Sequence, residues 1–473
     1  MSTDCKQVRF EFQPLGRRNV VADFNGGRLS TDGGVLLLRE VEERLGLIDR
    51  FADCFTDYRD PAQVEHSARD LIAQRVYALA LGYEDLNDHD ELRKDELLAV
   101  AVGKKDVTGA DRPRERDKGK PLAGKSTLNR LELAPPDADA SSRYKKIVAD
   151  EKALARVWSD LYIATQRERP ERIVIDLDAT DDPIHGAQEG RFFHGYYDEY
   201  CYLPLYIFID DCLVWAELRP SSIDGAAGSE AALLEILGQL WQEWPGIEIV
   251  VRADSGFCRE NIMRLCEAWP GVDYVFGLAK NKRLRERIEP HLERAKATFE
   301  ETGEATRVFD DFTYKTLTSW SRARRVVAKA EHLRKGSNPR FIVTSLPAEK
   351  VDARALYEDV YCARGEMENR IKEQQLDLFA DRTSTAHMRS NQLRLWFSSL
   401  AYTLVEVFRR YGLAETKIAR CQCGTIRLRL FKIAARVRVS VRRVMVSLAE
   451  GCPYVAEFSQ AFANLQRLHP LRA

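Results

Sequence analysis

Between residues 172 and 281 five short β-rich runs, RIVIDLD, YLPLYIFID, CLVWAEL, IEIVVRAD and DYVFGLA, are set among stretches of helical period. No other feature constrains the fold so tightly. The first three runs follow one another closely, whereas a helix is expected near residues 230–244 and another between IEIVVRAD and DYVFGLA. Such an order calls for a mixed sheet flanked by helices, an α/β architecture. Asp178 closes the first run and Asp254 the fourth, so each carboxylate stands where a strand leaves the sheet, the edge on which α/β folds assemble sites. Taken singly, a strand-end aspartate also suits a helix N-cap or a turn.

The 473 residues exceed what one compact core organises, and the pattern changes several times along them. Residues 1–165 read as a mostly helical region after a short extended start, with LLLREVEERLGLIDRFADCF and SARDLIAQRVYALALGY at helical spacing. The charged stretch from Lys104 to Lys125 has little to bury and is expected to be a mobile loop. Residues 166–281 hold the first part of the α/β domain. Residues 282–350 read as a β-rich insertion, 351–385 as the second part of the same domain, and 386–473 as a basic helical C-terminal region. Between residues 409 and 443 stand eleven cations and one acid, Glu415, an excess that attracts a phosphate backbone if exposed and otherwise balances acidic patches elsewhere.

Net charge is −1, from 72 Lys and Arg against 73 Asp and Glu, so a nucleic-acid surface must arise from local segregation of charge. Ten scattered cysteines include no C-x-x-C pair, which supports neither a zinc ribbon nor a disulfide framework. No run is long and apolar enough for a signal peptide or a membrane span, so a soluble, cytoplasmic protein with reduced thiols is expected.

In the segment YCARGEMENRIKEQQ, Tyr361, Arg364, Glu368 and Lys372 fall within roughly 80° of arc at about 100° per residue. One helix face then presents an acid flanked by cations, or merely a solvated, salt-bridged surface. Glu368 can join Asp178 and Asp254 from this helix. Three converging carboxylates repel one another, and divalent cations, Mg²⁺ above all, are the ordinary way to hold them ionised. Two such ions about 4 Å apart can activate a water or a 3′-hydroxyl and stabilise the leaving oxygen of a phosphodiester. Asp176 lies two residues before Asp178, on the same strand face, and competes for the first position. Asp181, Asp182 and His185 follow closely. A rival signal is GKPLAGKS, Gly119 to Ser126, which fits a phosphate-loop pattern. The charged DRPRERDK before it cannot be the buried strand such a loop needs, and Ser126 or Thr127 is expected to cap the helix TLNRLEL.

Asp178-Ala-Thr180, RADSGF around Asp254 and Tyr361-x-x-Arg364-x-x-x-Glu368 resemble the DDE transposases of bacterial insertion sequences, in the group with a Tyr-Arg-Glu signature. GGRLSTDGGVLLLRE, LALGYEDLNDHDELR, DATDDPIHGAQEG, YCYLPLYIFI and RGEMENRIKE look like the insertion-sequence family numbered thirteen-eighty, and the resemblance spans nearly the whole chain. It implies a ribonuclease H-like catalytic domain and cut-and-paste DNA transposition with two Mg²⁺ ions, for which Mn²⁺ can substitute. Its partners would be double-stranded DNA, at terminal inverted repeats and a target, and a second copy of the chain. No nucleotide is implied. By the same resemblance Asp178, chosen over Asp176 on the Asp-x-Thr pattern, joins Asp254 and Glu368 as catalytic metal ligands. Tyr361 and Arg364 would contact DNA near the scissile phosphate. The group often carries a lysine seven residues after the glutamate. Here that position is Gln375, which moves the basic role to Lys372. The insertion of the group manages a flipped or hairpinned DNA end, and Trp320 beside Arg322, Arg324 and Arg325 suits stacking on an unpaired base, or else the core of the insertion. A noncatalytic DNA-binding protein of the same fold and a nuclease without strand transfer remain as alternatives.

Overall fold

The computed structural model describes residues 9–468. A hairpin of β1 (Arg9–Leu15) and β2 (Arg18–Asp23) and the short β3 (Leu29–Ser30) precede a helical region that includes α1 (Val35–Leu45) and α2 (Ala68–Leu81). Ser67 and Asp70 close a capping box at the start of α2, where two backbone donors would otherwise be orphaned. The stretch from Lys104 to Lys125 is irregular, as its composition predicts, but it is tied down. Val107, Leu122 and Ala123 are buried, and Arg112 pairs with Glu65 at 2.6 Å. A 3₁₀ turn, Glu115–Asp117, stands before Gly119 where a phosphate loop would need a strand. The helix after it begins at Lys125 behind Gly124 with no side-chain cap, so neither Ser126 nor Thr127 fills that role.

The α/β part starts with β4 (Arg172–Ala179), β5 (Leu205–Ile209) and β6 (Cys212–Glu217), then α3 (Ser229–Glu243), β7 (Glu248–Ala253), α4 (Glu260–Ala268) and β8 (Val272–Leu278). The segment after it supplies α5 (Lys282–Thr302), β9 (Thr306–Tyr314), β10 (Arg324–Leu333) and β11 (Arg340–Thr344). All eight strands join one sheet in the order β6-β5-β4-β7-β8-β11-β10-β9, with Gly336–Ser337 paired onto β10. β4, β7 and β8 run parallel, and the other neighbours are antiparallel. The 282–350 segment carries the long helix α5 and antiparallel strands, and it is not a separate layer. The apolar Phe341, Ile342 and Val343 and the hydroxyl-bearing Thr344, all buried, pair directly with β8 and extend the sheet.

Strand alternation sorts the sheet into two unlike faces. Ile173, Ile175 and Leu177, with Leu205, Ile207, Ile209, Ile249, Val251 and Ala253, enter a wholly apolar core beneath α3, α4 and α5. Each fully buried aliphatic side chain there contributes about 1.5–3 kcal/mol. That face secures the sheet and leaves the other free to carry charge. On the second face Val250, Val275, Val327 and Ile342 meet Leu356 and Tyr357. These two belong to a helical run over residues 353–377, with π-type turns at Leu356–Tyr361 and Glu373–Asp377 around the regular α6 (Gly365–Lys372). The next helix, α7 (Met388–Val407), is buried on nearly all sides and joins the helical region to the sheet.

Beyond α7 the chain departs from the helical expectation. β12 (Ala435–Ser440) and β13 (Arg443–Leu448) form a hairpin that pairs with β3. The sequence ARVRVS alternates with period two, and that period overrides the helical rhythm on either side. Among the described residues no helix is long and apolar enough to cross a membrane.

Candidate active site

Register places the first two acids. Arg252 lies opposite Asp176 and Ala253 opposite Leu177 on the parallel pair β4 and β7. One step further, Asp178 and Asp254 leave neighbouring strands on the same face. Asp254 extends beyond its strand and accepts from the Gly256 backbone N–H at 2.7 Å, so it also makes the turn that its position allowed. The third acid arrives on α6. Arg364, one residue before that helix, donates to Asp178 at 3.3 Å and to Glu368 at 3.0 Å. Residues 178 and 368 are thereby brought to one guanidinium. Tyr361 is half-buried, and its hydroxyl stands 2.7 Å from where a Cβ on Gly277 would lie.

The electrostatics follow from this packing. Burial pushes the Asp178 carboxyl up to about 6; Arg364 opposes the rise, and the charges of Asp254 and Glu368 add to it. Burial likewise raises the Tyr361 phenol, which faces Arg364 and Asp254. Asp176 has a different fate. It takes two hydrogen bonds from Arg252, at 2.8 and 2.6 Å, while Arg252 also donates to the Val360 carbonyl at 2.7 Å. This buried pair pins the helical run to the sheet.

Among the described residues no three Asp, Glu, His or Cys side chains are gathered closely enough to hold a metal ion as they stand. The donor types nonetheless suit a hard divalent cation: Asp178 and Glu368 already share a positive group, and Asp178 feels the charge of Asp254. The guanidinium of Arg364 supplies positive charge to both Asp178 and Glu368.

The remaining expected residues separate. Lys372 is exposed at the end of α6. Gln375 donates to the Asp181 carbonyl at 2.9 Å and ties the π-type turn to the loop after β4. Trp320 is 5% exposed and packs edge-on against Tyr314 at 5.7 Å, which places it in the core and not on a stacking surface. Arg324 is buried between Glu260 and Glu267, both at 2.7 Å, and Arg325 pairs with Asp311 at 2.6 Å. Arg322 stays largely open to solvent beside Glu267. Intramolecular acids thus take up most of the charge expected to face DNA.

Sequence reasoning passed over Arg252 and Gly277. A cation inside the apolar run IEIVVRAD needs a buried acid opposite, and Asp176 was the acid available. A glycine inside DYVFGLA marks a close approach to the strand, here by Ser255 and Tyr361.

A family model described as Transposase DDE domain group 1 matches residues 12–470. The chain belongs to that family. No curated protein matches it. Among solved structures the chain is similar to a piggyBac transposase, determined by cryo-EM as a synaptic complex with hairpin DNA. The two are 10% identical with a TM-score of 0.38, over 84% of this chain and 80% of that one, a likeness too distant to inform the site. Members of the DDE transposase family generally use divalent metal ions, and the acids of this member provide oxygen ligands of the right kind.

Proposed function

We infer that this DDE transposase cuts and rejoins DNA at the ends of a mobile element, with Asp178, Asp254 and Glu368 holding two Mg²⁺ ions. The observation that carries the reading is the double ion pair of Arg364, which draws Asp178 and Glu368 together beside Asp254. Bound divalent ions would supply a metal-activated nucleophile and charge stabilisation on the leaving oxygen. The chain's own residues do the rest. Strand register fixes the two aspartates, α6 brings the glutamate, and the buried Asp176–Arg252 pair holds the helical run in place. Tyr361 and Arg364 lie beside the acids, where a phenol and a guanidinium can bind a phosphate on the cleaved strand.

The finer reading is a cut-and-paste reaction of an insertion sequence of the thirteen-eighty type. Hydrolysis at terminal inverted repeats is followed by attack of the freed 3′-hydroxyl on target DNA. Residues 166–281 and 351–385 form a ribonuclease H-like centre in this reading, while the helical region to residue 165 contributes DNA and dimer contacts. Two ends must be cut and joined together, so a homodimer with one centre per end fits the reaction. Such an enzyme works in the bacterial cytoplasm, at the nucleoid.

Labelled element-end DNA incubated with the protein and Mg²⁺ tests the reading. Nicking and a joined product, both lost in Asp254→Ala, are expected. Binding without nicking would leave a noncatalytic DNA-binding protein, and nicking without a joined product would leave a nuclease.

A further inference from the structure

The eleven cations between residues 409 and 443 do not form one surface. Arg409 is buried against Glu373 at 2.8 Å, Arg410 reaches Glu406 at 3.5 Å, and Lys432 pairs with Asp32 at 2.7 Å. Arg427 donates to the carbonyls of Ala80 and Asp377. These four knit the C-terminal part of the chain to the rest. Of the other seven, Lys417 and Arg420 are exposed and Arg429 is half-buried, while four stand together on the β12–β13 hairpin. Arg436, Arg438, Arg442 and Arg443 are exposed, and among the described residues none of them has a carboxylate partner. From residue 416 to residue 449 the sequence contains no acid at all.

Register sorts the hairpin into two faces. Arg436 lies opposite Ser447, Arg438 opposite Met445 and Ser440 opposite Arg443, so three arginines, two serines and one methionine share one side. The other side is a line of valines. At the base Ala435 is buried and Val437, Val446 and Leu448 pack against the core. Toward the tip Val439 and Val444 are 42% and 40% exposed, and Val441 in the turn is fully exposed. The ribbon is anchored at one end and stands clear at the other.

We propose that the β12–β13 hairpin is a docking ribbon for duplex DNA, laid along a groove with Arg436, Arg438 and Arg443 toward the nucleic acid and Arg442 at its leading end. The major groove of B-DNA, about 12 Å wide, admits a two-stranded ribbon. Six residues of strand span about 20 Å, roughly six base-pair steps. Arginines on that length reach phosphates on the groove walls and guanine edges on its floor. The proposal rests on the reading of the protein as a DNA-handling enzyme and assigns the duplex to a surface other than the three carboxylates.

Fluorescence anisotropy of the full chain on a labelled duplex of about 30 base pairs tests it, across a KCl series and with chelator present so that no cleavage is read. Replacing the four arginines by glutamine is expected to flatten the slope of log affinity against log salt by about 0.9 per lost phosphate contact, up to about 3–4 in all. The four-lysine variant should keep most of the slope. The pairs R436Q/R438Q and R442Q/R443Q should each give about half of the change at an unaltered melting temperature. An unchanged slope in the glutamine variants overturns the proposal, as does an equal loss on single-stranded DNA of the same length. Cleavage in Mg²⁺ is scored separately, so a failed ribbon and a failed catalytic centre give different results.

Discussion

In the metal-free protein, Asp178→Asn should raise stability at alkaline pH even though it removes a proposed catalytic group. Burial holds the Asp178 carboxyl at about 6 against an ordinary 3.8, so the fold favours its protonated form. The resulting stabilisation is complete below about pH 4 and is lost as pH climbs through 6. A gap of about two pH units at about 1.4 kcal/mol each sets a ceiling near 3 kcal/mol. The side chain is 18% exposed, and solvent relieves part of that cost, leaving about 1–3 kcal/mol. Asparagine cannot ionise, yet it keeps an oxygen for Arg364. The variant should therefore gain on the wild type by that amount between pH 4 and pH 8, and any pH-independent change in packing cancels in the comparison. Urea midpoints in chelator at pH 4, 6 and 8 measure it. A difference that is flat with pH, or that moves against the variant as pH rises, would refute the reasoning. Mg²⁺ at a hundredfold its dissociation constant should then stabilise the wild type alone, by about 2.7 kcal/mol.

Asp176→Ala should do the opposite of Asp178→Asn: it strands the buried Arg252 and should cost about 3–5 kcal/mol, read as a urea midpoint, with a loss under about 1 kcal/mol counting against the pair. Trp320→Ala should lose about 3–5 kcal/mol of stability through the cavity it leaves, while the folded variant binds duplex DNA as before; weaker binding at intact stability would return Trp320 to the DNA surface. Asp182 is buried, its oxygens have no hydrogen-bond partner, and burial together with Asp381 and Asp181 raises its carboxyl strongly, so Asp182→Asn should raise the melting temperature at pH 8 and leave it unchanged at pH 4. Gly277→Ala would set a methyl group 2.7 Å from both the Ser255 nitrogen and the Tyr361 hydroxyl, and should slow DNA cleavage roughly 10–100-fold with duplex affinity held within about twofold; unimpaired cleavage would show that this contact does not position the site.

The mixed sheet was legible because IVIDLD and IEIVVRAD carry strand alternation and turn signals together, and Asp178 and Asp254 could be placed at strand ends from that alone. Which of Asp176 and Asp178 is spent on structure was not legible, since the answer depends on a register between strands 76 residues apart. The helix wheel through Tyr361, Arg364 and Glu368 assumed a uniform α-helix. The π-type turn before Cys362 changes the phase, yet Arg364 and Glu368 keep their one-turn spacing because Arg364 immediately precedes the regular α6 and Glu368 lies in its first turn. The arginines near Trp320 misled for the converse reason. Composition records charge but not the partner it folds against, and Glu260 and Glu267 lie more than fifty residues earlier. The C-terminal hairpin was missed through averaging over a long basic segment, in which six alternating residues are a small fraction.

Asp176 and Asp178 share a face of β4, and the helical run overhead explains why one is locked in a buried ion pair and the other stays accessible at the rim. Two residues along a strand advance about 6.7 Å, and four residues along a helix about 6 Å. Val360, whose carbonyl accepts from the Arg252 that grips Asp176, and Arg364, which grips Asp178, are four residues apart. The helical run therefore keeps step with the strand beneath it, making one buried contact and then, one turn later, one contact at the rim. Arg252 has only 11% of its side chain exposed and a fixed bidentate partner, so that step behaves as a rivet. Arg364 instead splits its donors between Asp178 and a Glu368 that is 48% exposed, at longer distances, so its grip is the weaker of the two. A divalent cation or a phosphate that competed for these groups would meet the loose step, while the rivet would keep the acids in register. That ordering of strengths lets one helical run both hold a strand and open a site.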